Sequence, residues 1–145
     1  MAEEMPGGRV LALDYGSRRI GAAVSDPLGL TAQPLPAIPR EGDRKDIAGI
    51  ARLAAGMGVT SVVVGLPLLM NGDEGPQAAR ARAFGEKLSA ELSLPLTMWD
   101  ERLTTAQSER HLIDSGVRRE RRKEIRDSLS AMFLLQSFLD RRNRK

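Results

Sequence analysis

The sequence of 145 residues contains no cysteine and a single histidine, His111. The absence of cysteine excludes disulfides, thiolate zinc sites and thiol nucleophiles. A zinc site built on imidazoles, or a Ser-His-Asp triad, is disfavoured because His111 would have to serve alone. A catalytic site in this chain is therefore expected to use the oxygen and nitrogen groups of other side chains.

Aromatic residues and long apolar runs are also scarce. Aromatic residues make up 3% of the chain, and a base-stacking platform needs several exposed rings. The longest apolar stretch, 62–70, is broken by Gly65 and Pro67 and is far below the roughly 20 residues that span a bilayer. Residues 1–8 are acidic and glycine-rich, with no apolar segment of a signal peptide. We predict a cytoplasmic protein without a membrane partner.

The charges are distributed unevenly along the chain. Residues 1–100 carry 10 basic and 12 acidic side chains, whereas residues 101–145 carry 12 basic and 7 acidic ones. Much of the basic surplus lies at Arg118, Arg119, Arg121, Arg122, Lys123 and Arg126. A one-sided excess of this kind suits a polyanion partner, and a solvated helix face is the alternative.

The apolar pattern predicts a single α/β domain over residues 9–142, preceded by a flexible N-terminus over residues 1–8. The expected strands are 9–14, 20–25, 31–39, 61–65 and 96–100, and the expected helices are 43–57, 76–92, 104–115 and 118–142. The second strand returns along the first as a hairpin, and three prolines make 31–39 an edge strand. We expect a mixed sheet, with antiparallel hairpin strands plus parallel strands, flanked by helices.

Two details of the helices are also predicted. Asp43 is the expected N-cap of the first helix, and Gly58 is its expected end. On the last helix, one face is expected to pack inward, with two further apolar residues beside it. That face comprises Ile125, Leu129, Met132, Phe133 and Gln136, and the residues beside it are Leu135 and Phe138.

Acidic residues stand where this fold would bring them together. Asp14 ends the first strand, Asp100 and Glu101 end the last strand, and Asp127 lies within the last helix. An oxygen-rich site of this kind suits Mg²⁺ or Mn²⁺ better than Zn²⁺. Two such ions about 3.5–4 Å apart can promote phosphodiester cleavage. Each acid also has a structural alternative, such as bonds to turn amides or pairing with a nearby Arg or Lys.

Four motifs resemble the YqgF/RuvX family over about residues 9–140. They are LDYGSRRIG at 13–21 with VSD at 24–26, VGLPL at 64–68 with Asn71-Gly72, DERLTT at 100–105, and RDSLSA at 126–131 with LQS at 135–137. The resemblance implies an RNase H-like fold and a metal-dependent nuclease. Such nucleases either trim the 5′ end of the small-subunit ribosomal RNA precursor or resolve Holliday junctions.

The resemblance also assigns roles to residues. The three family acids correspond to Asp14, Glu101 and Asp127, which would act as catalytic residues and ligands of a two-ion Mg²⁺ or Mn²⁺ site. Asp100 stays as a reserve ligand, because alternation along the strand points only one of Asp100 and Glu101 toward Asp14. The expected nucleic-acid contacts are Arg18, Arg19, Asn71, Arg102, Arg118, Arg119, Arg121, Arg122 and Lys123. The partner is structured RNA or branched DNA, and the protein is a monomer or a homodimer.

Two other functions compete with a nuclease. The segment from Asp14 to Gly16 also resembles the first phosphate loop of the actin, Hsp70 and sugar-kinase ATPases. Those proteins close two domains around a nucleotide, and a chain of this length cannot supply the second wall. A non-catalytic RNA-binding assembly factor is the other alternative, since the basic C-terminal third alone could bind the phosphate backbone without reading sequence.

Overall fold

A computed structural model describes residues 8–101 and 119–143 of the chain, with residues 119–128 described as helix backbone only. The strands are β1 (Arg9–Tyr15), β2 (Arg19–Ser25), β3 (Ala32–Pro39), β4 (Val59–Leu66) and β5 (Leu96–Asp100). The helices in this part of the chain are α1 (Asp43–Met57), α2 (Pro76–Leu92) and α3 (Arg119–Asn143). The helix predicted over 104–115 and the N-terminal residues 1–7 lie outside the described residues.

The strands form one mixed sheet in the order β3-β2-β1-β4-β5. β1 pairs antiparallel with β2 and parallel with β4, and β4 pairs parallel with β5. The predicted sheet type and the proline-containing edge strand β3 are confirmed. Because β1, β4 and β5 are parallel, their carboxyl ends meet at the same edge of the sheet.

Helices cover both faces of the sheet. One face of the sheet packs against α1 and α2 through Leu11, Leu13, Val62 and Val64. The other face, which includes Val63, lies beneath α3. Side chains alternate between the faces along a strand, so β4 is buried on both sides. This explains its unbroken run of β-branched residues, and the predicted two-sided burial is confirmed.

The start of α1 differs from the prediction. Gly42 is the N-cap and Asp43 is the first helical residue, while Gly58 ends the helix in the left-handed conformation as expected. Gly42 has φ 120°, which a residue with a side chain rarely adopts. Asp43 does not cap the helix, because its carboxylate accepts hydrogen bonds from the side chains of Tyr15 and Arg40.

The inner face of α3 was predicted incorrectly. The residues that are fully buried against the sheet are Ala131, Leu134, Leu135 and Leu139. Leu129, Met132 and Phe133 are only half-buried, and the side chain of Ile125 lies outside the described residues. The sheet surface beneath α3 is made of small residues, including Ala12 and Ala23. Because α3 presents the small residue Ala131 to this surface, the helix can approach it closely. A prediction from the positions of large apolar residues alone favours a different face of the helix.

Polar contacts fix how α3 lies on the sheet. The side-chain oxygen of Gln136 accepts a hydrogen bond from the Ala32 N–H at 2.9 Å, at the start of β3. The Trp99 indole on β5 donates to the Ser137 hydroxyl at 3.3 Å and meets the Phe138 ring edge-on. Gln136 was expected in the apolar face and instead anchors the helix to β3.

None of the helices in residues 8–101 and 119–143 is long and apolar enough to cross a membrane.

Candidate active site

Asp14 lies near the carboxyl end of β1, on the face of the sheet that α3 covers. It follows Ala12 by two residues, and Ala12 packs in the core beneath α3, so strand alternation directs both side chains to that face. The next residue, Tyr15, packs into the core on the opposite face. Asp14 is half-buried.

Glu101 follows β5 at the same edge and is the strand-end acid that faces Asp14. β5 aligns Trp99 with Gly65 and Asp100 with Leu66, and the Glu101 N–H donates to the Leu66 carbonyl at 3.4 Å. Trp99 faces α3, so Glu101 lies on that face and Asp100 does not. Asp100 is exposed. The two predicted acids Asp14 and Glu101 are therefore brought together.

The pKa of Glu101 reflects this position. Burial is the largest cause that raises it, and the charge of Asp14, a hydrogen bond to Asp14 and the charge of Asp100 add to it, so that together they raise the pKa from the ordinary value of 4.5 to about 9. At neutral pH Glu101 therefore keeps its proton and donates it to Asp14 in a hydrogen bond. A bound cation would reverse this preference, because positive charge favours the ionised carboxylate.

Gly65 also belongs to the site, although it was not among the predicted site residues. It is the penultimate residue of β4, the strand between β1, which carries Asp14, and β5, which Glu101 follows. A Cβ atom here would collide with Oε2 of Glu101 and would lie 2.7 Å from Cδ1 of Leu134. Gly65 thus leaves the space that the Glu101 carboxylate occupies. A glycine closing an otherwise β-branched strand was the available signal.

The donor set fits a hard divalent cation, although the described residues supply only part of it. Among the side chains that the structure describes, in residues 8–101 and 129–143, no group of three acidic or imidazole side chains could hold a metal. The side chain of the third predicted ligand, Asp127, is outside the described residues. Its backbone lies in α3, seven residues before Leu134, which contacts the site at Gly65. Carboxylate oxygens of this kind are preferred by Mg²⁺ and Mn²⁺.

A basic cleft adjoins Asp14. It has a volume of about 310 Å³ and is lined by Asp14, Gly16, Ser17, Arg18, Arg19 and Gln77. Arg18 and Arg19, which were predicted to bind nucleic acid, are exposed beside Asp14, where Arg18 lies in the turn after β1 and Arg19 begins β2. Gln77, at the start of α2, was not predicted because nothing in its local sequence links it to β1.

The other predicted nucleic-acid contacts are not assembled in the described part of the chain. Asn71 is exposed in the loop after β4, and its amide bonds to both the backbone and the side chain of Asp73. Arg102 and Arg118 lie outside the described residues. The remaining four belong to the helical backbone at the start of α3, and their side chains are outside the described residues. They are Arg119, Arg121, Arg122 and Lys123. The roles of all these residues stay predictions.

An RNase H-like sheet with two acids at the carboxyl ends of two of its parallel strands, β1 and β5, is the framework of a nuclease, and this is the class that the fold and the site define. The family model described as "RuvX: Holliday junction resolvase" matches residues 8–141. The chain belongs to this family. The predicted resemblance to it is therefore confirmed.

Curated relatives cover nearly the whole chain. A protein of Pelotomaculum thermopropionicum is 45% identical over 94% of this chain and 89% of its own length. Proteins of Moorella thermoacetica (46%, 92% of this chain and 95% of the relative) and of Listeria monocytogenes serovar 1/2a (44%, 93% and 99%) are similar to the same extent. All three carry the name "Putative pre-16S rRNA nuclease".

A solved structure supports the fold independently. RuvC of Thermus thermophilus, in complex with a Holliday junction substrate, matches with a TM-score of 0.59 over 92% of this chain and 94% of the RuvC chain. The two sequences are 16% identical. At this identity the match establishes the RNase H-like fold alone.

Proposed function

We propose that this protein is a metal-dependent nuclease that hydrolyses phosphodiester bonds at the 5′ end of precursor 16S rRNA. The observation that carries the proposal is the meeting of Asp14 and Glu101 above Gly65, with the pKa of Glu101 raised by burial and by neighbouring acids. Carboxylates held this close in one site are suited to a cation. The names of relatives that are about 45% identical support the RNA substrate.

The acids would hold the metal. Asp14, Glu101 and Asp127 are the proposed ligands of two Mg²⁺ or Mn²⁺ ions, which when bound would activate water and stabilise the leaving oxygen. Glu101 holds a proton on its carboxyl group at neutral pH and would release it on binding a cation. Gly65 keeps the space for this carboxylate open.

The basic residues would hold the nucleic acid. Arg18 and Arg19 line the cleft beside Asp14, so they are suited to phosphates next to the scissile bond. Asn71, Arg102, Arg118 and the basic start of α3 would extend this surface. Contacts to phosphates carry no sequence information, so specificity would depend on the shape of the folded RNA.

Cleavage of two substrates tests the proposal. The protein is incubated with a precursor 16S rRNA 5′ fragment and with a four-way DNA junction, each in Mg²⁺ and in Mn²⁺. Cleavage of the RNA fragment is expected, and it should be lost in Asp14→Asn and Glu101→Gln but kept in Glu86→Gln, which alters an exposed acid on α2. Cleavage of the junction alone would replace the RNA substrate by a branched DNA. Metal-independent binding without any cleavage would support an assembly factor instead.

The third ligand needs its own test. If Asp127 binds metal, Asp127→Asn should reduce the rise in melting temperature that Mn²⁺ causes by binding to the native state. A full rise in this variant would remove Asp127 from the ligand set. Sedimentation of the free and junction-bound protein would decide between a monomer and a homodimer, since symmetric junction cleavage needs two sites.

A further inference from the structure

Arg40 lies just after β3, and its guanidinium group donates to three acceptors. Nε donates to Asp46 Oδ2 at 2.6 Å, Nη1 donates to the Gly16 carbonyl at 2.9 Å, and Nη2 donates to Asp43 Oδ1. The side chain of Arg40 is 15% exposed. A planar guanidinium group with hydrogen bonds to three different acceptors is fixed in one orientation.

Asp46 anchors this orientation to α1. It is 4% exposed, and its second oxygen accepts a hydrogen bond from the Glu41 N–H at 3.0 Å. A buried carboxylate is costly unless it is paired and hydrogen-bonded. Arg40 cannot turn away without leaving this charge unpaired, so the guanidinium is held where it is.

Arg40 forms hydrogen bonds to both sides of the turn that follows Asp14. Its own N–H donates to the Arg18 carbonyl at 2.9 Å, while its side chain bonds to the carbonyl of Gly16. The guanidinium lies 4.5 Å from the centre of the Tyr15 ring, and the Tyr15 hydroxyl donates to Asp43 at 3.0 Å. One residue thus contacts the chain on both sides of Ser17.

The turn itself has little freedom. A Cβ atom on Gly16 would lie 2.5 Å from the Arg19 carbonyl oxygen, so the two arms of the turn approach closely. The same turn lines the basic cleft beside Asp14. Its conformation therefore sets the distance between the Asp14 carboxylate and the Arg18 side chain.

We propose that Arg40 is a positioning residue for the nuclease reaction, holding the turn from Tyr15 to Arg18 so that Asp14 and the basic cleft keep their geometry. This inference rests on the proposed function. Arg40 acts from the opposite face of the sheet, through its bonds to the carbonyls of Gly16 and Arg18. Displacement of a catalytic group by about 1 Å can lower the rate about 100-fold, which is why a rigid turn matters next to Asp14.

The turn can be observed without any nuclease assay, because Tyr15 is the single tyrosine of the chain. The protein labelled with 3-fluorotyrosine gives one ¹⁹F resonance, which reports on the ring beneath Arg40. Arg40→Gln should shift or broaden this resonance. Arg82→Gln is the matched control, since it removes a different arginine that pairs with Glu74 on the surface, and it should leave the resonance unchanged.

Kinetics then separate positioning from binding. In Arg40→Gln we expect kcat to fall about 10- to 100-fold with KM within about twofold, because the cations of the cleft remain. Arg40→Lys is the second variant: it keeps a charge for Asp46 but lacks the fork that reaches the Gly16 carbonyl, so it should fold and still lose kcat. Circular dichroism and cooperative melting establish that each variant is folded.

The outcomes distinguish this inference from the proposed function. Wild-type kcat in folded Arg40→Gln and Arg40→Lys, with or without a shifted resonance, would overturn it, since Arg40 would then serve the fold alone. If the wild-type protein cleaves neither substrate but is stabilised by Mn²⁺, the nuclease proposal fails. The Arg40 inference then holds if the Arg40 variants reduce the rise in melting temperature that Mn²⁺ causes, and it is wrong if they leave this rise unchanged. With neither cleavage nor stabilisation, both proposals are wrong.

Discussion

Two clusters of charged groups lie on opposite sides of the end of β1, and they are built in opposite ways. On one side Asp43 and Asp46 surround Arg40, so each carboxylate has a cation within hydrogen-bond distance. On the other side Glu101 is largely buried and lies near the carboxyl groups of Asp14 and Asp100, and these effects together raise its pKa. The first cluster is electrostatically complete in the protein alone. The second becomes more stable when a cation is added, and this difference separates a structural cluster from a candidate active site.

The largest expected effect is on cleavage. Asp14→Asn removes a ligand charge from the second cluster, and we expect the rate to fall about 100-fold or more while the fold stays intact. A nuclease assay and circular dichroism on the same preparation measure both properties. Cleavage at the wild-type rate would remove Asp14 from the ligand set.

The two clusters should respond to mutation with opposite signs of stability change. Arg40→Met leaves Asp46 buried without a cation, and we expect a loss of about 3–5 kcal/mol in the free energy of unfolding. Glu101→Gln instead removes a carboxyl group that must take up a proton on folding at pH 8, so the metal-free protein should become more stable at this pH. Urea unfolding measures both changes. Equal destabilisation by the two variants would contradict the proposed electrostatic difference between the cluster around Arg40 and the cluster around Glu101.

The pH dependence of stability follows from Glu101. Its pKa is about 9 in the folded protein and close to 4.5 when unfolded, so the folded state retains a proton that the unfolded state has lost between these values. Stability from this group is therefore complete below about pH 4.5 and is lost as the pH rises toward 9. Urea unfolding across this range should show the decline, and Glu101→Gln should flatten it.

Metal binding should displace the same proton. Calorimetric titration with Mn²⁺ at pH 7, in buffers of different ionisation enthalpy, should show proton release from the wild-type protein and less release from Glu101→Gln. An identical release from both proteins would mean that the metal does not reach Glu101.

The space beside Glu101 gives a smaller effect. Gly65→Ala places a methyl group against the Glu101 carboxylate and Leu134, and we expect metal affinity to fall about 10-fold because the ligand is displaced. Gly56→Ala is the control, since a Cβ there meets nothing within 4 Å. Equal metal affinity in the two variants would show that the carboxylate can move aside without loss.

The basic cluster at residues 118–123 provides the smallest effect for each residue. Replacing Arg118, Arg119, Arg121, Arg122 and Lys123 by Gln should lower the slope of log affinity against log salt by about 0.7–0.9 for each phosphate that is no longer neutralised. The control replaces Arg44 and Lys45 on α1, which are exposed and distant in sequence from the motifs. An unchanged slope would make the basic cluster a solvated helix face.

Much of the fold could be predicted because local chemistry determines it. The β-branched run before Gly65, the proline at the start of α2 and the glycine after Met57 specify their elements wherever they occur. The bounds predicted for α2 and β5 match the structure. The buried stripe of α3 could not be predicted, because it depends on the small residues of the sheet beneath it rather than on the helix.

By itself, the sequence determined the order of the strands and helices in the described part of the chain, the acids at two strand ends and the absence of thiol chemistry, since these follow from residue type and spacing. Only the tertiary structure decided that Glu101 rather than Asp100 faces Asp14, that Gly65 leaves room for a carboxylate, and that Arg40 holds the turn beside the site. These relations join residues that are far apart in the chain. They are set by strand register and by which face of the sheet each side chain meets, and neither is encoded in a local pattern.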